Sequence, residues 1–329
     1  MFNVAIVGAT GNVGRKFLEI LAERDFPIKN LYLFASKRSA GLKLYFKDKE
    51  VIVEETCPEN INNKKIDFAL FSAGGDVSLE YAPKFASLGA TVIDNSSAWR
   101  MNKEVPLVVP EVNPEDLKWH KGIIANPNCS TIQAMVPLKV LLDNFGIKRI
   151  VYSTYQAVSG AGVAAISDLE NGIQGVAPKI FPYPIVGNCI PQIDVFLENG
   201  YTKEEIKMIE ETKKILHNEN LKITATTVRV PVLNSHSESI NIELEKNFDL
   251  KDVVNYFSKA KGLTVYDDPK EIKYPTPLEM AGKDDVYVGR IRRDFSVDSG
   301  LNIWVVADNI RKGAALNAVQ IAELLIKSN

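Results

Sequence analysis

Between residues 2 and 125, short apolar runs alternate with stretches of helical periodicity. NVAIV is followed by a helical pattern over 13–24, then LYLFA, DFALFSA, a second helical pattern over 77–88, and TVIDNS. Runs of four to six apolar residues without polar alternation predict strands buried on both faces, and helices of this length between them predict a doubly wound parallel sheet. From residue 129 the texture changes. Leu138, Leu141, Leu142 and Phe145 share one helical face, Gly146 stands where a C-terminal cap belongs, and Pro137 predicts a kink or restart.

A strand over about 149–158 then runs into SGAG. The following stretch, GIQGVAPKIFPYPIVGNCIPQID, is dense in turn formers and predicts a long surface loop suited to oligomer contact. A charged helix over 202–217 precedes four long strand patterns, ITATTVRVPV, HSESINIEL, DVYVGRIRRDF and LNIWVVADN, and a last helix covers 313–327. Several long strands with few helices predict a mostly antiparallel sheet, so the second half reads as α+β.

Composition narrows the class without changing this outline. With 329 residues, 46% hydrophobic and 24% charged, the chain can build two ordinary cores. No apolar run reaches the roughly 18 residues of a spanning helix, and MFNVAIVG enters a strand directly, so cytoplasmic residence is the expectation. A net charge of −2 offers no general attraction for nucleic acid or an anionic membrane. Three widely spaced cysteines, Cys57, Cys129 and Cys189, fit neither a disulfide framework nor a zinc site, and no metal is expected.

The chemistry-bearing motifs start at VAIVGATGNVG. Gly8, Gly11 and Gly14 lie between a strand and a helix, where glycine permits a tight turn and close approach of a pyrophosphate to the helix N-terminus. Glycine also marks ordinary turns, but this position in a βαβ unit favours a dinucleotide. At the end of the second strand FASKRSAG carries Arg38 and Ser39 instead of the acidic residue that would accept from ribose hydroxyls, which points to NADP; the alternative is a solvated Lys-Arg pair.

NPNCSTIQ places Cys129 at a helix start, with Asn128 or Ser130 as cap. A helix N-terminus favours the thiolate, yet free cysteine is also a common buried filler, and the local pattern fits both. Of the three histidines, His120 and His217 lie in unremarkable polar settings. His236 follows Arg229 by seven residues, where one strand turns back into another, and the pair suits an acid/base and a carboxylate clamp.

Taken in order, GATGNVG, SKRSAG, NSSAWR, NPNCSTIQ, YQAVSGAG, EETKKIL, RVPV with HSES, and DNIRKGAALNAVQIAE closely resemble the aspartate-semialdehyde dehydrogenase family over nearly the whole chain. The resemblance implies a Rossmann-type NADP domain over 1–128, completed by a C-terminal helix over 310–329. It also implies an α+β catalytic and dimerisation domain of the glyceraldehyde-3-phosphate-dehydrogenase-like type over 129–309. The implied reaction is reduction of L-aspartyl 4-phosphate by NADPH to the semialdehyde, on the way to lysine, diaminopimelate, methionine and threonine.

In that reading Cys129 is the acyl-carrying nucleophile, His236 the acid/base and Gln156 the residue orienting the intermediate. Arg229 grips the α-carboxylate, and Glu211 meets the α-amino group, with Glu210 beside it as the alternative. Arg100, Lys214 and Asn128 form the phosphate site. Gly8, Thr10, Gly11, Asn12, Val13, Arg38, Ser39, Ser159, Gly160 and Asn309 contact the cofactor. Without the resemblance, Glu211 and Lys214 read as an exposed helix ion pair. A homodimer or homotetramer is implied. The competing readings are an N-acetyl-glutamyl-phosphate reductase-like enzyme and a silent NADP-binding homologue, although the latter would be expected to lack Cys129 or His236.

Overall fold

The computed structural model describes residues 1–328, which divide into two compact units: Met1–Pro127 with the segment from Ala314 onward, and Asn128–Gly313.

In the first unit the elements are β1 (Phe2–Val7), α1 (Asn12–Glu23), β2 (Ile28–Ala35), β3 (Lys43–Phe46), β4 (Lys49–Glu55), α2 (Pro58–Ile61), β5 (Phe68–Phe71), α3 (Gly75–Ser87), β6 (Thr91–Asp94) and β7 (Ile123–Ala125). They form one seven-stranded sheet in the order β3-β4-β2-β1-β5-β6-β7, parallel except for the β3–β4 hairpin at one edge. Val4, Ala5, Ile6 and Val7 of the central strand are wholly buried, as a sheet covered on both faces requires. The hairpin was not legible as separate strands, because LKLYFKDKEVIVEE alternates at an edge and turns at Lys47, whose φ is 53°. Successive strands leave β1 first toward β2 and β4, then toward β5, β6 and β7. The order therefore reverses beside β1, at the switch point where such sheets bind ligands.

The second unit contains α4 (Cys129–Phe145), β8 (Ile147–Gln156), α5 (Val163–Gly172), α6 (Lys203–Ile215), β9 (Lys222–Arg229), β10 (His236–Leu244), α7 (Leu250–Lys259), β11 (Leu263–Val265), α8 (Pro277–Met280), β12 (Val286–Asp294) and β13 (Gly300–Ala307). Its sheet runs β11-β12-β13-β10-β8-β9. The three central pairings are antiparallel, and the pairs β8–β9 and β11–β12 are parallel.

Three sequence expectations change here. Pro137 does not restart α4: residues 130–138 are all buried, so packing on every side carries the helix past the hydrogen bond that proline cannot make. Arg229 and His236 do not sit on adjacent strands either, since β8 runs between β9 and β10. The segment after α5 lacks regular structure but is not wholly superficial. Ile185 and Ile190 are buried against Val158 and Ala165 in a small separate core.

The last helix, α9 (Leu316–Ser328), belongs to the first unit. Ala315, Leu316, Ala318, Val319, Ile321 and Ala322 are buried in the same cluster as Phe17, Leu21 and Ile6. Arg24 and Glu323 join α1 to α9 through a two-pronged ion pair at 2.7 Å. Among the described residues no helix is long and apolar enough to cross a membrane.

Candidate active site

The glycine-rich turn of the first unit is shaped by contacts that exclude side chains. Gly8 has φ of 86°, and a Cβ there would lie 2.5 Å from the carbonyl oxygen of Ser72, just beyond β5. A Cβ on Gly14 would overlap the carbonyl of Gly8 and lie 2.8 Å from Cα of Ala9. Gly11 is the N-cap of α1 and has no side-chain capping bond. The helix thus opens at the sheet's switch point with first-turn N–H groups that no N-cap side chain takes, a cradle that fits a pyrophosphate. Thr10, Asn12 and Val13 line the same turn. Arg38 and Ser39 lie on a single 3₁₀ turn, residues 37–39, directly after β2, and Arg38 is exposed.

Arg100 is almost fully buried in this unit. Its Nε donates to the carbonyl of Asn126 at 3.0 Å and its Nη2 to that of Asn95 at 2.7 Å, so the guanidinium ties the NSSAWR turn to the segment after β7.

In the second unit the candidate catalytic groups converge on the end of β8. Ala157 is the hub. Its N–H donates to Nδ1 of His236 at 3.0 Å, and its carbonyl accepts from Nη1 of Arg229 at 2.6 Å. One peptide segment thereby fixes the first residue of β10 and the last of β9, which flank β8 on either side. His236 is fully buried, and burial, helped by the nearby Arg229 charge, holds its pKa well below the ordinary histidine value. The ring is therefore neutral. Because Nδ1 accepts, the proton of the neutral ring sits on Nε2, an atom without a hydrogen-bond partner among the described residues.

Arg229 is buried as well. Burial lowers its pKa, while Glu204 and a thiolate at Cys129 act in the opposite sense. That attraction is mutual, so Arg229 favours the ionised thiol. Gly160 completes this corner. A Cβ there would stand 3.2 Å from Cε1 and Nε2 of His236 and 3.4 Å from Nη1 of Arg229.

Cys129 is half-buried at the first position of α4, and Gly313 packs flush against it: a Cβ on Gly313 would be 3.0 Å from Cβ of Cys129. Of the other two cysteines, Cys57 is half-buried, and Cys189 is exposed instead of filling a core. Asn128 caps α4, its Oδ1 accepting from the N–H groups of Ser130 at 3.0 Å and Thr131 at 3.3 Å. Its Nδ2 donates to Glu204 at 2.8 Å, and its own N–H donates to Glu211 at 2.6 Å. Both functions of the Asn128 side chain are thus engaged at the helix start.

Glu211 is buried, so the exposed ion-pair reading does not hold for it; the half-buried Lys214 follows three residues later. The adjacent Glu210 pairs with Lys213 at 2.9 Å on the helix surface. Gln156 is buried between Thr154, which donates to its Oε1 at 2.9 Å, and Glu204, which accepts from its Nε2 at 3.2 Å. Ser159 and Asn309 bond to each other at 3.0 Å. Asn309 Oδ1 also takes the N–H of Ser235, whose φ of 72° sets the turn into His236.

Glu204 is the candidate site residue that sequence reasoning missed. Burial alone would raise its pKa, but Lys207 and the amides of Asn128 and Gln156 outweigh burial and leave it below the usual carboxylate value. It reads as an ordinary acidic residue in the first turn of α6, beside the Thr202–Glu205 capping box. The available signal was spacing: Glu204, Met208, Glu211 and Ile215 fall on one face, so two acids occupy the stripe that packs inward.

The comparisons with known proteins agree over the full length. Residues 3–120 match the family model for the semialdehyde dehydrogenase NAD binding domain, and residues 138–312 match the semialdehyde dehydrogenase dimerisation domain. The chain is 58% identical to the aspartate-semialdehyde dehydrogenase of Aquifex aeolicus, covering 99% of this chain and 98% of that one. It is 49% identical to the Bacillus subtilis protein of the same name, with the same coverage. Among solved structures, aspartate semialdehyde dehydrogenase II of Vibrio cholerae, complexed with ASA, superposes with a TM-score of 0.94 at 47% identity, covering 99% of this chain and 98% of that one. The Candida albicans enzyme with NADP superposes at 0.79 and 28% identity, with the same coverage. The chain belongs to the aspartate-semialdehyde dehydrogenase family.

Proposed function

We propose that the protein catalyses the reversible, NADPH-dependent reductive dephosphorylation of L-aspartyl 4-phosphate to L-aspartate 4-semialdehyde and phosphate. The observation that carries this reading is the position of Arg229, whose charge acts on both Cys129 and His236 and whose guanidinium is held in place by Ala157.

Cys129 attacks the acyl carbon of the substrate, the C–O bond to phosphate breaks, and an acyl thioester remains on Sγ. Dividing one displacement into two easier steps is what covalent catalysis provides. The neutral imidazole of His236 presents Nε2–H and donates it to the acyl oxygen, where negative charge develops. To take the thiol proton the ring has to release the Ala157 N–H, because its only lone pair is engaged there. Gln156, held by Thr154 and Glu204, orients the intermediate.

Arg229 receives the α-carboxylate as a fork, and the acids Glu204 and Glu211 balance the α-ammonium group. Arg100, Lys214 and the α4 start at Asn128 serve the phosphate. The Gly8–Val13 turn holds the pyrophosphate of NADP(H), and Arg38 and Ser39 hold its 2′-phosphate. Ser159, Gly160 and Asn309 take the cofactor's remaining contacts in this reading. The cofactor supplies or accepts the hydride. The protein acts as a homodimer or homotetramer in the cytoplasm, with no nucleic-acid or membrane partner.

The test is the phosphate dependence of NADP reduction by aspartate semialdehyde. The reading requires the rate to collapse without phosphate, and an unchanged rate would make the protein a hydrolytic aldehyde dehydrogenase.

A further inference from the structure

Glu238 has no assigned part in the chemistry above, yet it is fully buried two residues beyond His236 on β10, on the same face of the sheet. Its register neighbours offer it nothing. Val305 on β13 is apolar, and the hydroxyl of Thr154 on β8 is spent on Gln156. The nearby Tyr152 hydroxyl is engaged with Thr212 at 3.0 Å. Burial, with no cation beside it among the described residues, pushes the carboxyl well above the usual range, and the side chain of Gln133 of α4 acts the other way without offsetting it.

Among the described residues neither carboxyl oxygen of Glu238 has a hydrogen-bond partner, and neither has Oε1 of Gln133. One hydrogen of Gln133 Nε2 goes to the carbonyl of His236 at 3.2 Å. A proton on Glu238 turns one of its oxygens into a donor, and Oε1 of Gln133 is the unpartnered acceptor on its polar neighbour.

We propose that Glu238 is a positioning residue: its carboxyl O–H donates to Gln133, which in turn holds the main chain of His236. Gln133 lies four residues after Cys129, one turn along the same face of α4. The Glu238–Gln133 link therefore fixes the helix that carries the thiol to the strand that carries the imidazole. The positioning role rests on the proposed function, whereas the protonated link itself does not.

Infrared difference spectroscopy of the full-length protein against Glu238→Gln, near pH 7, tests the link without turnover. A protonated carboxylic acid band present in wild type and lost in the variant is the expected result. Its absence from wild type overturns the proposal. Kinetics test the role. Glu238→Gln, which keeps a neutral donor, is expected to retain kcat within about twofold, while Glu238→Leu lowers kcat about 10- to 100-fold with KM little changed. Gln133→Leu added to Glu238→Leu costs no further loss. Equal losses in Glu238→Gln and Glu238→Leu, or additive losses in the double variant, overturn the positioning role. If Cys129→Ala retains turnover, the mechanism falls, and the infrared result still decides the link.

Discussion

The backbone N–H of Ala157 donates to Nδ1 of the fully buried His236 at 3.0 Å, an interaction only the neutral ring can accept. Protonation in the folded state would set two N–H groups against each other in a site that already holds Arg229. The folded-state pKa is depressed below the unfolded value of about 6.5. The native state then binds fewer protons than the unfolded one, so this group's stabilisation is complete above pH about 6.5 and is lost as pH falls below it. His236→Asn, whose side-chain oxygen can accept the same N–H, is expected to show a shallower loss of stability between pH 7.5 and 5 than wild type. Urea midpoints at both values check this, and parallel slopes would refute it.

Gly160 is a steric gauge of the same corner. Its φ does not require glycine, but a Cβ there would press on His236 Nε2 and Arg229 Nη1 at 3.2 and 3.4 Å. Gly160→Ala is expected to fold normally and to lose about 10-fold in kcat/KM, since small misplacements of reacting groups are costly. Steady-state kinetics beside a thermal melt separate the two effects.

Glu204 and Glu210 lie six residues apart on one helix and predict opposite outcomes. Glu204→Gln removes the charge that Lys207, Asn128 and Gln156 converge on. It is expected to cost about 1–3 kcal/mol of stability and to weaken turnover. Glu210→Gln breaks a partly exposed pair with Lys213 and is expected to stay within about 0.5 kcal/mol. Denaturant titration of both variants reads the difference.

The turn proposed for the cofactor separates shape from charge. Gly8→Ala faces a φ of 86° and the Ser72 carbonyl at once, so loss of dinucleotide binding together with lowered stability is expected. Arg38→Ala touches only an exposed side chain. Stability should hold while the Kd for NADPH rises about 10- to 100-fold and that for NADH changes little, the loss expected of a charged hydrogen-bonding partner. Fluorescence titration with both cofactors checks the pattern; equal changes for the two would remove Arg38 from the 2′-phosphate.

Much of this was legible in the sequence because it depends on local pattern. The apolar runs gave the central strands of the first sheet, and the glycines at a strand–helix junction marked the turn into α1. Gly146, with φ of 71°, ends α4 where the sequence places a cap. What was not legible depends on contacts distant in sequence. Pro137 is tolerated because neighbours surround it. Arg229 and His236 look like the two arms of a hairpin, yet β8 divides them and supplies Ala157, which no motif marks as functional. Asn128 shows as a cap in sequence, but its commitment to Glu204 spans 76 residues. Two acids on an inward stripe were readable in principle, yet a charged first turn hid Glu204 behind a capping box.

The central claim is that Cys129 carries the acyl group. The most direct measurement is mass spectrometry of the protein mixed with L-aspartyl 4-phosphate in the absence of NADPH, followed by peptide mapping. An aspartyl adduct on the Cys129 peptide, absent in Cys129→Ala and discharged by NADPH, is the predicted result. Turnover that persists in Cys129→Ala, or an adduct on Cys57 or Cys189, would contradict it.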